Sequence, residues 1–279
     1  MIKVLHPGIY TSVQDAGRFG FAKMGIPTAG VMDSYSAELA NTLLQNTKDC
    51  AVLEITYGQG KYEFTTDTYI CITGGDFSPK LNKNQISLNT VCKVEKGSVL
   101  SFGKRNYGAR VYLAVQGGIQ SEVHFGSRSF SLGITKARLE KGDELKILKQ
   151  NFQEIGHARV KSQEEHFTSP ILECFLGPEY DQLNKAQKQR LQEPFTISSD
   201  TNRVGYRLNE SIENDLPQIL TSAVLPGTVQ LTPSGKLIVL MLDAQVTGGY
   251  PRVLQLSDKA LSRLGQKAAG DEIYFCRQF

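Results

Sequence analysis

Chemistry in this chain has to rest on arginine, lysine, aspartate and backbone amides, and those groups crowd a stretch near the start. Ser12-Val-Gln-Asp-Ala-Gly-Arg18, followed by Lys23 and Gly30-Val-Met-Asp33, sets Gln14, Asp15, Arg18, Lys23 and Asp33 among glycines and a proline. Such a composition suits neither a helix nor a strand interior. Glycines let backbone approach a ligand, and the charges beside them are the groups that bind carboxylates, phosphates and developing oxyanions. The phrase recurs: Asp15, Arg18, Gly20 and Phe21 align without a gap on Asp200, Arg203, Gly205 and Tyr206, with Asn202 inside the second copy. Two copies of one local device point to an internal duplication that builds one composite site.

Each candidate has a structural and a chemical reading. Asp15 with Arg18, and Asp200 with Arg203, are either ion pairs that fix a glycine loop or catalytic dyads. Asp33 is either the cap of the helix that follows or a ligand contact. Thr73-Gly-Gly-Asp76 follows an apolar strand, so the amides of Gly74 and Gly75 form an anion nest or a plain β-turn. Thr247-Gly-Gly-Tyr-Pro251 breaks a strand end abruptly and reads as a binding loop contributed by Thr247, Gly248, Gly249 and Tyr250. Gln245 beside it carries an amide suited to a ureido, lactam or carboxylate group. Arg128, in Phe125-Gly-Ser-Arg-Ser129, either pairs with Glu122 or holds an anion.

Other chemistries lack their signatures. Ser234-Gly-Lys-Leu237 has neither the upstream glycine nor the hydroxyl residue of a phosphate-binding loop, and no Gly-x-Gly-x-x-Gly opens a helix after a strand. No Gly-x-Ser-x-Gly elbow and no His or Cys pair at metal-ligand spacing occurs, so no metal ligands are assigned. A net charge of +3 over 279 residues, with the Lys185–Arg190 run on a helix face, argues against a nucleic-acid partner. The opening residues lack an apolar segment, and the longest apolar run, Leu237 to Leu242, is too short to span a bilayer. The five cysteines are an odd, widely spaced set, expected reduced near apolar strands, so a cytoplasmic protein away from membranes is expected.

The elements that must position these residues are mostly strands. Ile2–Leu5, Ala51–Tyr57, Lys61–Thr65, Tyr69–Thr73, Ser98–Phe102 and Arg110–Val115 are short alternating runs bounded by turn formers. Asp33 or Ser34 opens a helix reaching about Gln45. The second half reads as strand Ile171–Leu176, a helix over about Glu179–Leu191, strands at Thr228–Leu231 and Leu237–Asp243, and a helix over Asp258–Leu264 capped by Ser257. Both halves close on a Gly-Asp-Glu strand, at 142 and 270. Many strands and few helices predict a mainly β fold of barrels. The expected division is a first domain over 1–150, a linker over 151–170 and a second domain over 171–279.

These phrases resemble a known family, the biotin-dependent carboxyltransferase-like proteins, also called KipA-like or allophanate hydrolase subunit 2-like. The resemblance is carried by Gly8, Ser12-Val-Gln-Asp-Ala-Gly-Arg18, Gly25-Ile-Pro27, Gly30-Val-Met-Asp33 and Leu53-Glu54. It continues through Thr73-Gly-Gly-Asp76, Ala114-Val-Gln-Gly-Gly118, Asn202-Arg-Val-Gly-Tyr-Arg207, Pro226-Gly-Thr-Val-Gln230 and Thr247-Gly-Gly-Tyr-Pro251. It implies a pair of cyclophilin-like β-barrels. It also implies one component of an ATP-dependent 5-oxoprolinase, working with a KipI-like partner and a LamB/YcsF-like partner and inactive without them. ATP with Mg²⁺, shared with the KipI-like partner, would phosphorylate the lactam oxygen before water opens the ring to glutamate. Such a step needs cations around the phosphoryl oxygens and a clamp for the substrate carboxylate. Arg18, Arg203 and Lys23 suit those needs, with Asp15, Asp33 or Asp200 assisting Mg²⁺ and Gln245, Gly248 and Gly249 reading the lactam. Two other roles stay open: carboxyl transfer from carboxybiotin to urea or a small amide, with biotin on another chain, and a non-catalytic regulator that binds a KipI-like protein.

Overall fold

The computed structural model describes residues 1–148, 158–161 and 163–277. Alternation of apolar residues produces a mainly β protein, with helices only at Ser34–Leu43, Glu164–Thr168, Lys185–Arg190 and Asp258–Leu264 among the described residues. The chain divides into two compact units, residues 1–18 with 29–167 and residues 19–28 with 168–279. The segment 19–28 therefore leaves the first unit, and the boundary near 150 moves to 168. The expected linker lies partly outside the described residues. Its end is a helix, Glu164–Thr168, whose His166 and Phe167 are buried in the first unit.

In the first unit, one sheet runs in the order Glu144–Leu145, Ile2–His6, Lys61–Phe64, Val99–Ser101, Lys80–Leu81, Asn84–Gln85. The other runs Tyr10–Gln14, Val52–Thr56, Tyr107–Val115, Thr68–Asp76, Val91–Val94. Ile2, Val4, Tyr62 and Phe64 from the first share a core with Leu53, Ile55, Val111 and Leu113 from the second. Because strand side chains alternate, Val52, Tyr112 and Ala114 face the other way and meet Ala37, Ala40 and Leu43 of helix Ser34–Leu43. Strand Val52–Thr56 is thus buried on both faces, which places Glu54 beneath the start of that helix.

In the second unit a closed barrel runs through seven strands. In order they are Ile171–Leu176, Arg252–Leu256, Thr228–Leu231, Lys236–Leu240, Gly205–Ser211, Phe195–Thr201 and Glu272–Arg277. Closure removes most sheet edges. Leu172, Phe195, Val229, Leu237, Val239 and Ile273 fill it, each contributing about 1.5–3 kcal/mol on burial. The first Asp-x-x-Arg phrase follows strand Tyr10–Gln14, and the second begins at Asp200 inside strand Phe195–Thr201.

The helix expected over about Glu179–Leu191 is interrupted. A 3₁₀ turn at Tyr180–Gln182 precedes helix Lys185–Arg190, which Asn184 and Gln187 open with reciprocal capping bonds. All five cysteines are free thiols. Burial pushes Cys71 up to about 12 and Cys174 up to about 11, while Cys276 is exposed. Because the thiolate is the reacting form, iodoacetamide at neutral pH is expected to label Cys276 first. Cys71 and Cys174 should label only after denaturation, and peptide mapping by mass spectrometry reads the order.

Candidate functional site

Three polar clusters collect the residues expected to do chemistry, two in the first unit and one in the second. The first is built on Asp15. Its carboxylate accepts from Gly17 N at 2.8 Å, Ser127 Oγ and Ser129 Oγ at 2.6 Å each, and Arg128 N at 2.5 Å. Three of those bonds fall on Oδ1 and one on Oδ2, so Asp15 staples the Ser127–Ser129 turn. The buried Arg18 donates to the Ser129 and His124 carbonyls. Gln14 Nε2 donates to Ser12 Oγ and Phe130 O. The Arg128 guanidinium binds Ser121 O and Gln120 Oε1 and neither pairs with Glu122 nor stands ready for an anion; Glu122 lies against His124.

The second cluster lies under the start of helix Ser34–Leu43. Asp33 is its N-cap, accepting Ser36 N at 3.1 Å, as one of the two readings expects. Its other oxygen accepts Ser36 Oγ at 2.5 Å and faces His166 Nε2 at 2.9 Å. Glu54 Oε2 accepts Met32 N at 2.7 Å and Tyr112 Oη at 2.9 Å, and Tyr112 Oη accepts Asp33 N at 2.8 Å. Arg110 lies 3.6 Å from the opposite Glu54 oxygen. Strand register makes this network, since Glu54 sits directly opposite Tyr112. Burial and the Glu54 charge push the Tyr112 hydroxyl well above its ordinary value, which keeps it a donor. Thr73 Oγ1 ties strand Thr68–Asp76 to the same helix through Ser36 O at 2.6 Å. Gly74 and Gly75 lie inside that strand, opposite a bulge between Tyr107 and Val111, so Thr73-Gly-Gly-Asp76 is neither a nest nor a turn. A Cβ on Gly75 would come within 2.9 Å of Tyr107 O, and close backbone packing is the reason for glycine there.

The third cluster gathers loops at one end of the barrel. Arg203 forms a fork with Asp243, Nε to Oδ2 at 2.9 Å and Nη2 to Oδ1 at 3.0 Å. Asp200 is exposed and pairs with Arg207 at 3.0 Å. The second Asp-x-x-Arg phrase is therefore not a dyad: Asp200 and Arg203 each have a different partner. Asn202 Oδ1 closes the hairpin turn through Val204 N and Gly205 N, and Tyr206 is buried in the barrel. Gln245 and Thr247 are exposed, while Gly248, Gly249 and Tyr250 are half-buried. Thr247–Gly248 pairs with Ser222–Ala223. A Cβ on Gly248 would come within 2.5 Å of Gln230 Nε2, the amide that reaches Tyr250 O. Arg252 supports the loop, binding Ser222 Oγ and Ala223 O and forking onto Glu179 at 2.8 and 3.0 Å. Lys23 is exposed on the 3₁₀ turn Ala22–Met24 of the same unit.

The carboxyltransferase domain model, subdomains A and B, matches residues 24–277. This chain belongs to that family. A carboxyltransferase-domain relative, the C subunit of the Escherichia coli 5-oxoprolinase, is 35% identical over 99% of this chain and 90% of that one. The corresponding 5-oxoprolinase component of Haemophilus influenzae is 30% identical with the same coverage. The crystal structure of Kluyveromyces lactis urea carboxylase superposes with a TM-score of 0.84 at 29% identity over 98% of this chain. The chain spans only 27% of that solved chain, and 56% of the TTHA0988 crystal structure, which it matches with a TM-score of 0.89.

Within this carboxyltransferase domain the expected residues separate by accessibility. Arg18, Asp33 and Arg203 are buried and committed to protein partners, whereas Lys23, Asn202, Gln245 and Thr247 present polar groups to solvent. His166, Glu54, Arg110 and Tyr112 form the buried network, yet no chemical role for them follows from the residue pattern. A visible signal was Glu54, a carboxylate inside the apolar run Val52-Leu-Glu-Ile-Thr56, where a buried charge demands partners. No helix of the described residues is long and apolar enough to cross a membrane.

The Arg252–Glu179 fork makes stability depend on pH in a defined direction. Hydrogen bonds from Arg252 hold the Glu179 carboxyl below its ordinary 4.5. A lowered folded value means the contribution is complete above 4.5 and is lost as pH falls through the lowered value. The stability gap between the wild type and Glu179→Gln is therefore expected to stay constant from neutral pH down to about 4.5 and to shrink in more acid solution, as read by urea unfolding.

Proposed function

We propose that this chain is the C subunit of a 5-oxoprolinase and that, with its partner chains and ATP, it converts 5-oxo-L-proline to L-glutamate. The observation that carries the reading is the 35% identity to the Escherichia coli protein across nearly the full length of both chains. On this reading the barrel-end loops of the second unit meet the substrate. Gln245 and the amides of Gly248 and Gly249 hydrogen-bond the lactam, Asn202 Nδ2 adds a donor, and Lys23 offers a cation for the carboxylate. Arg203 acts as a positioning residue: its fork with Asp243 fixes the Asn202 turn against the 241–250 loop. The partners are a KipI-like protein and a LamB/YcsF-like protein.

The carboxylates expected to assist the Mg²⁺ that ATP brings are already engaged by protein partners in this chain. Asp15 accepts four bonds, Asp33 is tied to its cap and to His166, Asp243 is forked by Arg203, and the exposed Asp200 is paired with Arg207. Among the described residues no three His, Cys, Asp or Glu side chains gather as a metal cluster. On this reading the nucleotide and its ion are shared with the KipI-like partner, and recognition of the lactam is assigned to this chain.

The test mixes this chain with the KipI-like and LamB/YcsF-like partners and follows ADP and glutamate with and without 5-oxoproline. Turnover that requires all three chains and the lactam supports the reading; a tight complex with no lactam-dependent turnover removes it. The urea carboxylase superposition favours a second reading, carboxyl transfer to urea or a small amide, which a carboxybiotin donor would reveal in the same assay. Gly248→Ala sharpens the result. Its methyl displaces only the flexible end of Gln230, so stability should change by less than about 1 kcal/mol. Turnover should nevertheless fall by about tenfold or more if the 247–250 loop positions the lactam.

A further inference from the structure

Among the described residues, one strand of the second unit's barrel is paired over only part of one edge. Strand Glu272–Arg277 pairs along one edge with Ile171–Leu176 from Tyr274 to Arg277. On its other edge, pairing with Phe195–Thr201 covers only Glu272 and Ile273. The chain before Phe195 turns away into helix Lys185–Arg190, and a cavity of about 690 Å³ opens there, along Tyr274, Phe275 and Cys276. Tyr274 N donates to Pro170 O, on the covered edge. Peptide groups of successive strand residues point to opposite edges, so the N–H and C=O of Phe275 aim at the cavity. Its floor is apolar, from Cys174, Leu176, Leu191 and Leu254, and the charged residues that line it, Lys188 and Arg277, are both basic. Lys188 lies over the Tyr180 ring at 5.0 Å and is 4.0 Å from Asp181, which is 97% exposed and held only loosely by it.

An exposed strand edge over an apolar hollow is the geometry by which sheets accept an added strand. We propose that this edge is a docking groove for an extended, acidic segment of a partner polypeptide. The segment pairs its backbone with Phe275, sets an apolar side chain on Leu191 and Leu254, and places a carboxylate at Lys188. The basic lining selects the acidic segment over a neutral one, and a second copy of this chain brings the same basic edge and is disfavoured by like charge. The groove is lined wholly by residues of the second unit, shares none of them with the loops assigned to the lactam, and stands whether or not the oxoprolinase reading does.

The experiment titrates the full chain with a fluorescein-labelled, acetylated heptapeptide that alternates glutamate with valine and leucine, followed by anisotropy. Saturable binding is expected, together with protection of Cys276 from iodoacetamide. Lys188→Glu, a change on the rim that leaves the fold intact, should weaken binding about tenfold, equivalent to about 1.4 kcal/mol. N-methylating the peptide's alternate amides on one edge should abolish binding, while methylating the other edge should leave it. The proposal is overturned if no binding appears up to millimolar peptide, or if both N-methylated series bind alike. It is also overturned if Cys276 labels equally fast with and without peptide, or if sedimentation shows the chain dimerising through this edge.

Discussion

Replacing Arg203 with alanine is expected to lower the unfolding free energy by about 3–5 kcal/mol, because it leaves the Asp243 carboxylate largely desolvated and without its fork. Asp243 is only 14% exposed, and Arg203 6%. The pair joins the turn after strand Phe195–Thr201 to the segment after strand Lys236–Leu240, and Asp243 N also bonds Arg203 O. Urea unfolding should show a lower midpoint at an unchanged slope. Replacing both residues with apolar ones of similar volume should recover much of the loss. If Arg203→Ala were as stable as the wild type, the fork would be free to open for a ligand and Arg203 would return as a substrate contact. The residue pattern alone would assign the alanine variant a lost activity on an intact fold. The geometry assigns it a damaged fold, so the informative activity variants are the exposed ones. Gln245→Ala should keep its stability within about 0.5 kcal/mol.

Asp33→Ala is expected to cost a similar amount by a different route. A lost N-cap is worth about 1 kcal/mol. Ser36 Oγ and the His166 ring nitrogen lose a buried partner as well, at about 1–3 kcal/mol for each group left unsatisfied. His166 stacks near Tyr35 at 4.8 Å and Phe167 near Tyr107 at 5.2 Å, so the Asp33 contact helps seat helix Glu164–Thr168. Asp33→Ser restores a cap while leaving His166 short of its partner. Two readouts should therefore separate: urea stability recovers in part with serine, whereas trypsin cleavage at Arg159 and Lys161 stays faster than in the wild type. Equal cleavage in all three proteins would show that His166 does not hold the helix.

Much of the framework was legible because it is local. Strands Ile171–Leu176 and Thr228–Leu231, and helix Asp258–Leu264 with Ser257 as its cap, follow from short-range alternation and capping. Strand Tyr10–Gln14 was hidden by reading Ser12 to Asp33 as one glycine loop. Thr73-Gly-Gly-Asp76 misled because paired glycines usually punctuate, whereas here close backbone approach needs them. Charge partnerships were the least legible part. Asp15 reaches residues more than a hundred positions away, and Arg203 pairs with Asp243 rather than with the aspartate three positions before it. Only strand register brings Glu54 onto Tyr112. The candidate site was therefore readable as a set of segments, not as a set of contacts.

Residues 19–28 belong with 168–279 although they are translated long before them. At about 5–20 residues per second, the ribosome releases this short strip well before the barrel that receives it exists. The first unit must therefore form around an excursion whose final neighbours are still unmade. Splitting the gene at 168 would hand that strip to the wrong fragment. A second unit produced alone would lack it unless those ten residues were grafted back, which makes the chain a poor subject for dissection into halves and a natural one for complementation by a short peptide.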